Sequence, residues 1–202
     1  MKKISLAILF ACFTLALTAQ DGITVKYQGD RPTISDFATA LFTYESGEDE
    51  DCDESFNAVK QAWNSHRNGG KLYDNETLTI DQKSGYIVYE SRYEDELLRV
   101  EMCYWNEIDK KHKLIAYNVS CFSGGKYSAG QYDGLRFYRY NNATRKMIWY
   151  DEVGFEVEYT VENGAWVSYD LPRTGKDIIV NYWYENDRKQ KTLIWDGHKF
   201  SL

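Results

Sequence analysis

The sequence contains few prolines, few histidines and no excess of basic residues, and each shortage removes a class of protein. Two prolines beside 17 tyrosines and 6 tryptophans fit pleated sheets and argue against a disordered chain. The three histidines, His66, His112 and His198, have no metal-like partner three or four residues later, so they form no zinc motif. Acidic residues outnumber basic ones by 31 to 24, which argues against binding to nucleic-acid phosphates.

Common catalytic motifs are missing as well. The chain has no Gly-x-Ser-x-Gly elbow and no glycine-rich phosphate loop that opens a helix. A Cys121 nucleophile with a distant histidine stays an open alternative. Acidic pairs of the kind that glycosidases use are too numerous to single out one. We therefore expect a non-catalytic protein without a cofactor.

The N-terminus predicts export. Lys2 and Lys3 precede an apolar run of 14 residues, 4–17, which ends close to a small residue. This order is typical of a secretory signal peptide over residues 1–19, and we expect cleavage before residue 20 or 21. The run is shorter than the ~20 residues of a membrane-spanning helix. Lipidation at Cys12 is the alternative.

The mature chain, residues 20–202, is long enough for one well-buried domain. Loss of Lys2 and Lys3 with the signal peptide changes the net charge from −7 to −9, which favours basic partners. We expect the protein in the periplasm, on the outer-membrane surface or outside the cell. Its partner is then a protein or a glycan met outside the inner membrane.

Three cysteines remain in the mature chain: Cys52, Cys103 and Cys121. Because export leads to an oxidising compartment, one disulfide and one leftover thiol are the simplest expectation. Cys103 and Cys121 flank one predicted hairpin and are the best pair. The alternative is that all three are small buried or surface thiols.

The first third of the mature chain predicts a pair of helices over residues 33–68. Ser35 is the expected N-cap of the first helix, because apolar residues follow it at helical spacing. The second helix is predicted over 53–66, with one apolar face made by Phe56, Val59, Ala62 and Trp63. Gly69 and Gly70 supply the signal that ends it.

From residue 71 onward the apolar pattern has a period of two, which predicts about ten strands over 71–202. Similar hairpins recur at 103–118, 137–151 and 182–197, each with aromatic arms around a polar turn. Residues 155–161 alternate strictly and are followed by Asn-Gly, so we expect another strand and hairpin there. Short turns without helical crossovers predict an antiparallel meander, as one curled sheet or two packed sheets. The fold class is therefore α+β.

A dense acidic stretch precedes the second helix. Asp49, Asp51 and Asp53 have the alternate spacing that opens a calcium loop. Glu54 stands where that loop needs glycine, and Lys60 stands where it needs a bidentate glutamate. We therefore expect a solvated loop whose charges favour the helix N-terminus, with the three aspartates as weak metal candidates.

The most specific local motif is Ser-Gly-Gly-Lys-Tyr-Ser-Ala-Gly-Gln-Tyr at residues 123–132. It resembles the signature of the periplasmic inhibitors of C-type lysozyme, which present such a loop on a β-barrel to the lysozyme cleft. The resemblance implies that Ser123 approaches the catalytic carboxylates, with Lys126 and Tyr127 beside it. The family's downstream base has no clean counterpart, since Arg136 and Arg139 are only near the right place. The alternative is a glycine-rich turn between strands.

Tryptophans offer a third hypothesis. Trp166 and Trp183 each belong to the less apolar set of alternate residues in their strand, so we expect them on the outer face. They are therefore candidates for a platform that stacks on glycans. Most tryptophans of a sheet are instead core residues or cross-strand pairs. In general terms the chain resembles the secreted β-rich proteins of Gram-negative bacteria that have no assigned function. The leading hypothesis is an exported binding or interaction protein.

Overall fold

The computed structural model describes residues 22–44, 54–130, 133–161 and 164–202 of the chain. Within them the protein has the expected α+β fold, in which two helices precede most of an antiparallel β-structure. No helix in this part of the chain is long and apolar enough to span a membrane. Several predicted features lie outside the described residues: the signal peptide, Cys52, Asp49, Asp51 and Asp53.

The first helix, α1 (Ile34–Tyr44), is capped by Thr33, so the prediction of Ser35 as the N-cap is wrong. The carboxylate of Asp36 accepts hydrogen bonds from the backbone N–H and the hydroxyl of Thr33, both at 2.7 Å. The Thr33 carbonyl in turn accepts hydrogen bonds from the N–H groups of Asp36 at 3.1 Å and Phe37 at 3.3 Å, as expected of the residue that caps a helix. The hydroxyl of Ser35 instead accepts a hydrogen bond from Gln82 in the turn after β2.

The second helix, α2 (Glu54–Arg67), buries the four apolar residues that the sequence places on one face. Gly69 follows it with φ at 71°, a left-handed conformation that glycine adopts without strain. The N–H of Gly69 binds the carbonyl of His66 at 3.1 Å. The predicted glycine stop is therefore confirmed.

The described part of the chain contains twelve strands. In chain order they are β1 (Ile23–Thr24), β2 (Glu76–Asp81), β3 (Tyr86–Tyr93), β4 (Glu96–Asn106), β5 (His112–Ser123), β6 (Lys126–Tyr127), β7 (Gly134–Asn141), β8 (Lys146–Trp149), β9 (Trp166–Asp170), β10 (Ile178–Trp183), β11 (Arg188–Trp195) and β12 (Phe200–Ser201). The large sheet has the order β1-β8-β7-β5-β4-β3-β2, with β6 paired to β5, and the small sheet has the order β12-β11-β10-β9. All of these strand pairs are antiparallel.

The three recurrent hairpins are confirmed as β4–β5, β7–β8 and β10–β11. The predicted strand over 155–161 is wrong for most of its length. Next to the turn the predicted pairing does form, through the isolated bridge Thr160 to Trp166 and through two backbone hydrogen bonds, Val167 N–H to the Tyr159 carbonyl at 2.9 Å and Val161 N–H to the Ala165 carbonyl at 3.1 Å. The hydroxyl of Tyr169 instead bonds the N–H and the carbonyl of Glu158, at 2.9 and 3.0 Å. Alternate apolar residues of this segment pack on the core, so the pattern predicted the burial along the segment and the pairing only at its end.

The large sheet separates two cores. Its first face packs against α1 and α2 through residues such as Tyr89, Met102 and Tyr117. Its second face packs against the small sheet through the alternate residues, for example Cys103 and Phe137. The layers are therefore helices, large sheet and small sheet, and both faces of the large sheet are covered.

The strand register excludes the predicted disulfide. Cys103 and Cys121 are both free thiols. In the β4–β5 pair Cys103 lies opposite Ala116, whereas Cys121 lies opposite Leu98. Residues 98 and 103 have opposite parity on β4, so the two thiols project from opposite faces of the sheet. The alternative of small, separate thiols is the one observed for these two cysteines.

Candidate functional site: a polar cleft between the sheets

The second face of the large sheet changes character along β4 and β5. Its middle is apolar, but towards the β3–β4 turn it carries Glu101, Asn118 and Ser120, each at most 4% exposed. Here the end of the large sheet meets β9, β10 and β11 around an open cavity of about 380 Å³. We call this cavity the polar cleft. Side chains that line it from five strands are Arg99, Glu101, Phe122, Asp170, Trp183 and Arg188.

Glu101 is the most buried ionisable group of the cleft, at 4% exposure. Its carboxylate accepts a hydrogen bond from the Tyr86 hydroxyl at 2.7 Å and another from the Asn118 amide at 3.2 Å. Burial, reinforced by the nearby charge of Asp170, raises the pKa of Glu101 to about 7. A carboxyl group in this state changes its charge close to neutral pH, which is a frequent property of functional sites.

The guanidinium groups of the cleft already have acidic partners. Arg92 and Arg99 both bind Glu90, at 3.0 and 2.7 Å. Burial alone would raise the pKa of Glu90, but the hydrogen bond from Arg99 outweighs burial and holds that pKa below its usual value. Arg188 lies 3.6 Å from Asp170 and donates to the side-chain amide oxygen of Asn181 at 2.6 Å. Each cation of this region therefore has an acidic partner within the chain, although Arg92 and Arg99 share one.

The mouth of the cleft is acidic. Glu94, Asp95 and Glu96 of the β3–β4 turn line it, and the turn is tied to the β5–β6 hairpin. The Ser123 hydroxyl donates to Glu96 at 2.6 Å, and the Gly124 N–H donates to the Asp95 carbonyl at 3.0 Å. Within the described ranges no Lys, Arg or His lies within 4 Å of these three carboxylates or of Glu101.

Trp183 forms a fixed wall of the cleft. The Arg188 guanidinium lies over its ring at 4.5 Å, and the Tyr127 ring is stacked near it with centroids 6.4 Å apart. Its indole N–H donates to the Ser168 hydroxyl at 2.8 Å. A sugar ring that stacked on the face under Arg188 would first have to displace that side chain. Trp183 thus shapes the cleft more than it offers an open surface.

Comparisons with protein families, curated proteins and solved structures found no match to this chain. The residues of the cleft are therefore the basis for inferring its function.

The structure brings several predicted site residues to the polar cleft. Ser123 and Lys126 are paired at the end of the β5–β6 hairpin, whose turn glycine Gly125 lines the cleft. Both turn glycines have positive φ, 55° and 77°, which fits a two-residue hairpin turn. Tyr127 is buried against Trp183, and Lys126 donates to the carbonyl of Glu185 at 3.2 Å. The last two residues of the motif lie outside the described ranges.

The other predicted residues lie elsewhere. Arg136 faces Tyr117 and Arg139 faces Leu114, so they are six and nine residues along β5 from Ser123. At about 3.3 Å per residue, these offsets are roughly 20 and 30 Å. Neither arginine is therefore beside the Ser123 hairpin. Trp166 pairs with Trp183 across β9 and β10, shares its face and is 48% exposed, but it does not line the polar cleft.

Arg139 belongs to a second charged cluster, at the opposite end of the same face. Glu107, Asp109 and His112 place ligand atoms within 4.8 Å of one another, as a metal site would. Arg139, however, donates to both carboxylate oxygens of Glu107, at 2.7 and 2.6 Å, and lies 3.4 Å from the His112 ring nitrogen. Its guanidinium holds the place that a cation would take. The cluster is thus closed by an internal ion pair.

Sequence reasoning missed both Glu101 and Asp170. They are separated by 69 positions and come together only when the small sheet packs on the large one. One local signal was available: Glu101 and Arg99 share their parity on β4 with Cys103 and Trp105, so one strand face passes from apolar to charged residues. The Asp109–His112 pair was also missed, because only partners after each histidine were considered.

Proposed function

We propose that the chain is an exported, non-catalytic binding protein and that the polar cleft is its ligand site. The observation that carries this proposal is the convergence of Glu101, Asp170 and Trp183 from both sheets in one open cavity. Its size falls within the ~300–1,000 Å³ that ligand pockets usually occupy. A few polar groups beside aromatic walls are also typical of such pockets.

The cleft is suited to binding because its walls are fixed before a ligand arrives. Trp183 is held through Ser168, Arg188 through Asn181, and Arg99 through Glu90. Groups that need no reordering lower the entropic cost of association. This pre-organisation supports recognition of a defined shape in preference to adaptable contact.

The test compares two tryptophans. Protein fragments, peptides and glycans are screened against the mature chain, and each hit is measured against Trp183→Ala and Trp149→Ala. Trp149 is 53% exposed on β8 and does not line the cleft, so it is the matched control. We expect hits to lose at least tenfold in affinity with Trp183→Ala and to keep it with Trp149→Ala. Equal affinities for wild type and a folded Trp183→Ala variant would contradict the proposal.

A glycan ligand is the second candidate, because Trp166 is about half exposed on the same face as Trp183. Aromatic faces in such positions stack on the apolar side of sugar rings. A glycan array read with wild type and Trp166→Ala tests this candidate. Identical binding profiles would remove it.

Inhibition of C-type lysozyme is the third candidate. The Ser123 hairpin stands at the acidic mouth of the cleft, and an acidic surface suits a basic enzyme. The hydroxyl of Ser123 is already bound to Glu96, so it would have to change partner to reach a lysozyme carboxylate. The candidate fails if a micromolar excess of the protein leaves lysozyme activity unchanged.

A further inference from the structure

We propose that the polar cleft binds a cationic group, namely the guanidinium or ammonium of an arginine or lysine side chain on a basic partner protein. This inference rests on the proposed function, since it names the chemistry of the same site. It goes further because it excludes anionic ligands and expects neutral ligands to bind more weakly than cationic ones.

The first argument is the charge of the cleft. Three guanidinium groups and five carboxyl groups line it. The guanidinium groups are already paired, two with Glu90 beneath the cleft and one with Asp170. The carboxyl groups of Glu94, Asp95, Glu96 and Glu101 have no cation within 4 Å among the described residues. The unbalanced charge is therefore negative, and an anion would be repelled.

The second argument is the surplus of hydrogen-bond acceptors around Glu101. Its carboxylate has only two neutral donors, Tyr86 and Asn118. The Asn118 carbonyl oxygen, in a side chain only 1% exposed, has no hydrogen-bond partner in the described part of the chain. Buried acceptors are normally satisfied. Of these acceptors Glu101 lines the cleft, and a ligand with several N–H donors and no acceptor, such as a guanidinium or an ammonium, complements it.

The third argument is the environment of the charges. Glu101 lies where Phe122 and Trp183 line the cleft with aromatic rings. Because the Glu101 side chain is buried, water screens an ion pair formed with it less than one on an open surface. Aromatic rings also attract cations, as the Arg99 contact with Phe122 and the Arg188 contact with Trp183 already illustrate. The net charge of −9 expected for the mature chain adds long-range attraction for a basic partner.

The same protein shows what it does with a buried carboxylate that needs no ligand. At Glu107 the chain supplies its own guanidinium, Arg139, to both oxygens. At Glu101 the contacts within the chain are only a hydroxyl and an amide, and the charge of Arg99, which is paired with Glu90, acts on it from more than 4 Å away. We infer that the missing cation arrives from outside.

The experiment titrates the mature chain with matched probes and follows backbone amide resonances by NMR at low salt and pH 7.5. Nα-acetylated argininamide carries the cation, Nα-acetylated citrullinamide has the same shape with a neutral urea, and N-acetylglutamate is the anion; the first two are called argininamide and citrullinamide below. We expect argininamide to shift the resonances of Glu101, Phe122 and Trp183, with citrullinamide at least tenfold weaker and N-acetylglutamate silent. Glu101→Gln should weaken argininamide at least fivefold, whereas Glu152→Gln, an exposed acid outside the cleft, should not.

Two further arms separate the sources of the cation. An Ala-Arg-Ala tripeptide blocked at both ends represents a protein side chain, and free arginine represents a small metabolite. Binding of the tripeptide at least as tight as that of arginine supports a protein partner, and clearly tighter binding of arginine overturns it.

The remaining outcomes are also decisive. Equal or tighter binding of the neutral or anionic probe in the cleft overturns the cationic class but leaves the cleft as the binding site. If no probe shifts the cleft resonances, the cation inference fails, while the proposed binding function is still judged by the tryptophan comparison.

Discussion

The two ends of one sheet face hold two buried glutamates that are satisfied in different ways. Glu107 follows β4 and is 3% exposed, and Glu101 lies within β4 and is 4% exposed. Glu107 receives two charge-assisted hydrogen bonds from Arg139. Glu101 receives neutral hydrogen bonds only, and burial raises its pKa to about 7. One end is therefore a closed structural ion pair and the other an open polar cleft.

The difference separates stability from function. A buried carboxylate with its own guanidinium has little to offer a ligand, because both oxygens are occupied. A buried carboxyl group without a cation costs stability whenever it is ionised, and such a cost persists in natural proteins mainly at functional sites. Variants at the Glu107 end should accordingly lose stability, whereas variants at the Glu101 end should lose ligand binding.

The largest expected effect is at the closed end. Arg139→Met leaves the Glu107 carboxylate buried without its cation, and we expect a loss of ~3–5 kcal/mol in the free energy of unfolding, measured with urea. Arg173→Met is the control, because the Arg173 side chain is 56% exposed in its pair with Asp81, so water screens this pair and its loss should change stability little. The double variant Arg139→Met/Glu107→Leu should recover much of the loss. Equal effects of the two single variants would show that the Arg139 pair is no more important than a surface pair.

The next effect concerns pH and the open end. The pKa of Glu101 is raised from 4.5 to about 7, so between these values the folded protein holds a proton that the unfolded chain has released. Stability from this group is therefore complete below pH 4.5 and falls by about 3 kcal/mol as the pH rises to 7.

Urea unfolding at pH 5, 6, 7 and 8 measures this change. Glu101→Gln cannot release the proton, so we expect the difference between variant and wild type to grow in favour of the variant across the interval. Groups with lowered pKa, such as Asp109 at about 2, act only in more acidic solution and do not enter the window. A difference that is constant from pH 5 to 8 would show that Glu101 titrates normally.

Local patterns predicted the parts of this fold that local interactions determine. The face of α2, its glycine stop and the three hairpins depend on residues close in sequence, and all were predicted. The alternation over 155–161 predicted too long a strand, because burial produces most of that pattern and pairing is confined to the residues next to the turn. Tyr169 satisfies the backbone of Glu158 from elsewhere in the chain, which no local pattern reports.

The cleft depends on long-range register, which explains why the sequence revealed only its edge. The Ser123 hairpin was singled out because glycines mark a tight turn, and it does border the cleft. Glu101 and Asp170 become neighbours through the packing of two sheets, and the choice of Cys103 and Cys121 as a pair failed for the same reason. Hairpin membership indicates which strands are adjacent, but the register decides which side chains share a face.

The smallest expected change in stability comes from a substitution that adds a cation to the polar cleft and so makes it resemble the closed end. Leu97 lines the cleft and is partly exposed, so Leu97→Lys places an ammonium near Glu101 and the acidic turn at a cost of about 1 kcal/mol or less. The new cation plays the part that Arg139 plays for Glu107, and we expect argininamide to bind at least tenfold more weakly. Leu97→Met is the control for the loss of the leucine side chain and should bind like wild type. If Leu97→Lys folds and still binds argininamide with wild-type affinity, the negative charge of the cleft does not select its ligand, and the contrast between the two glutamates is structural alone.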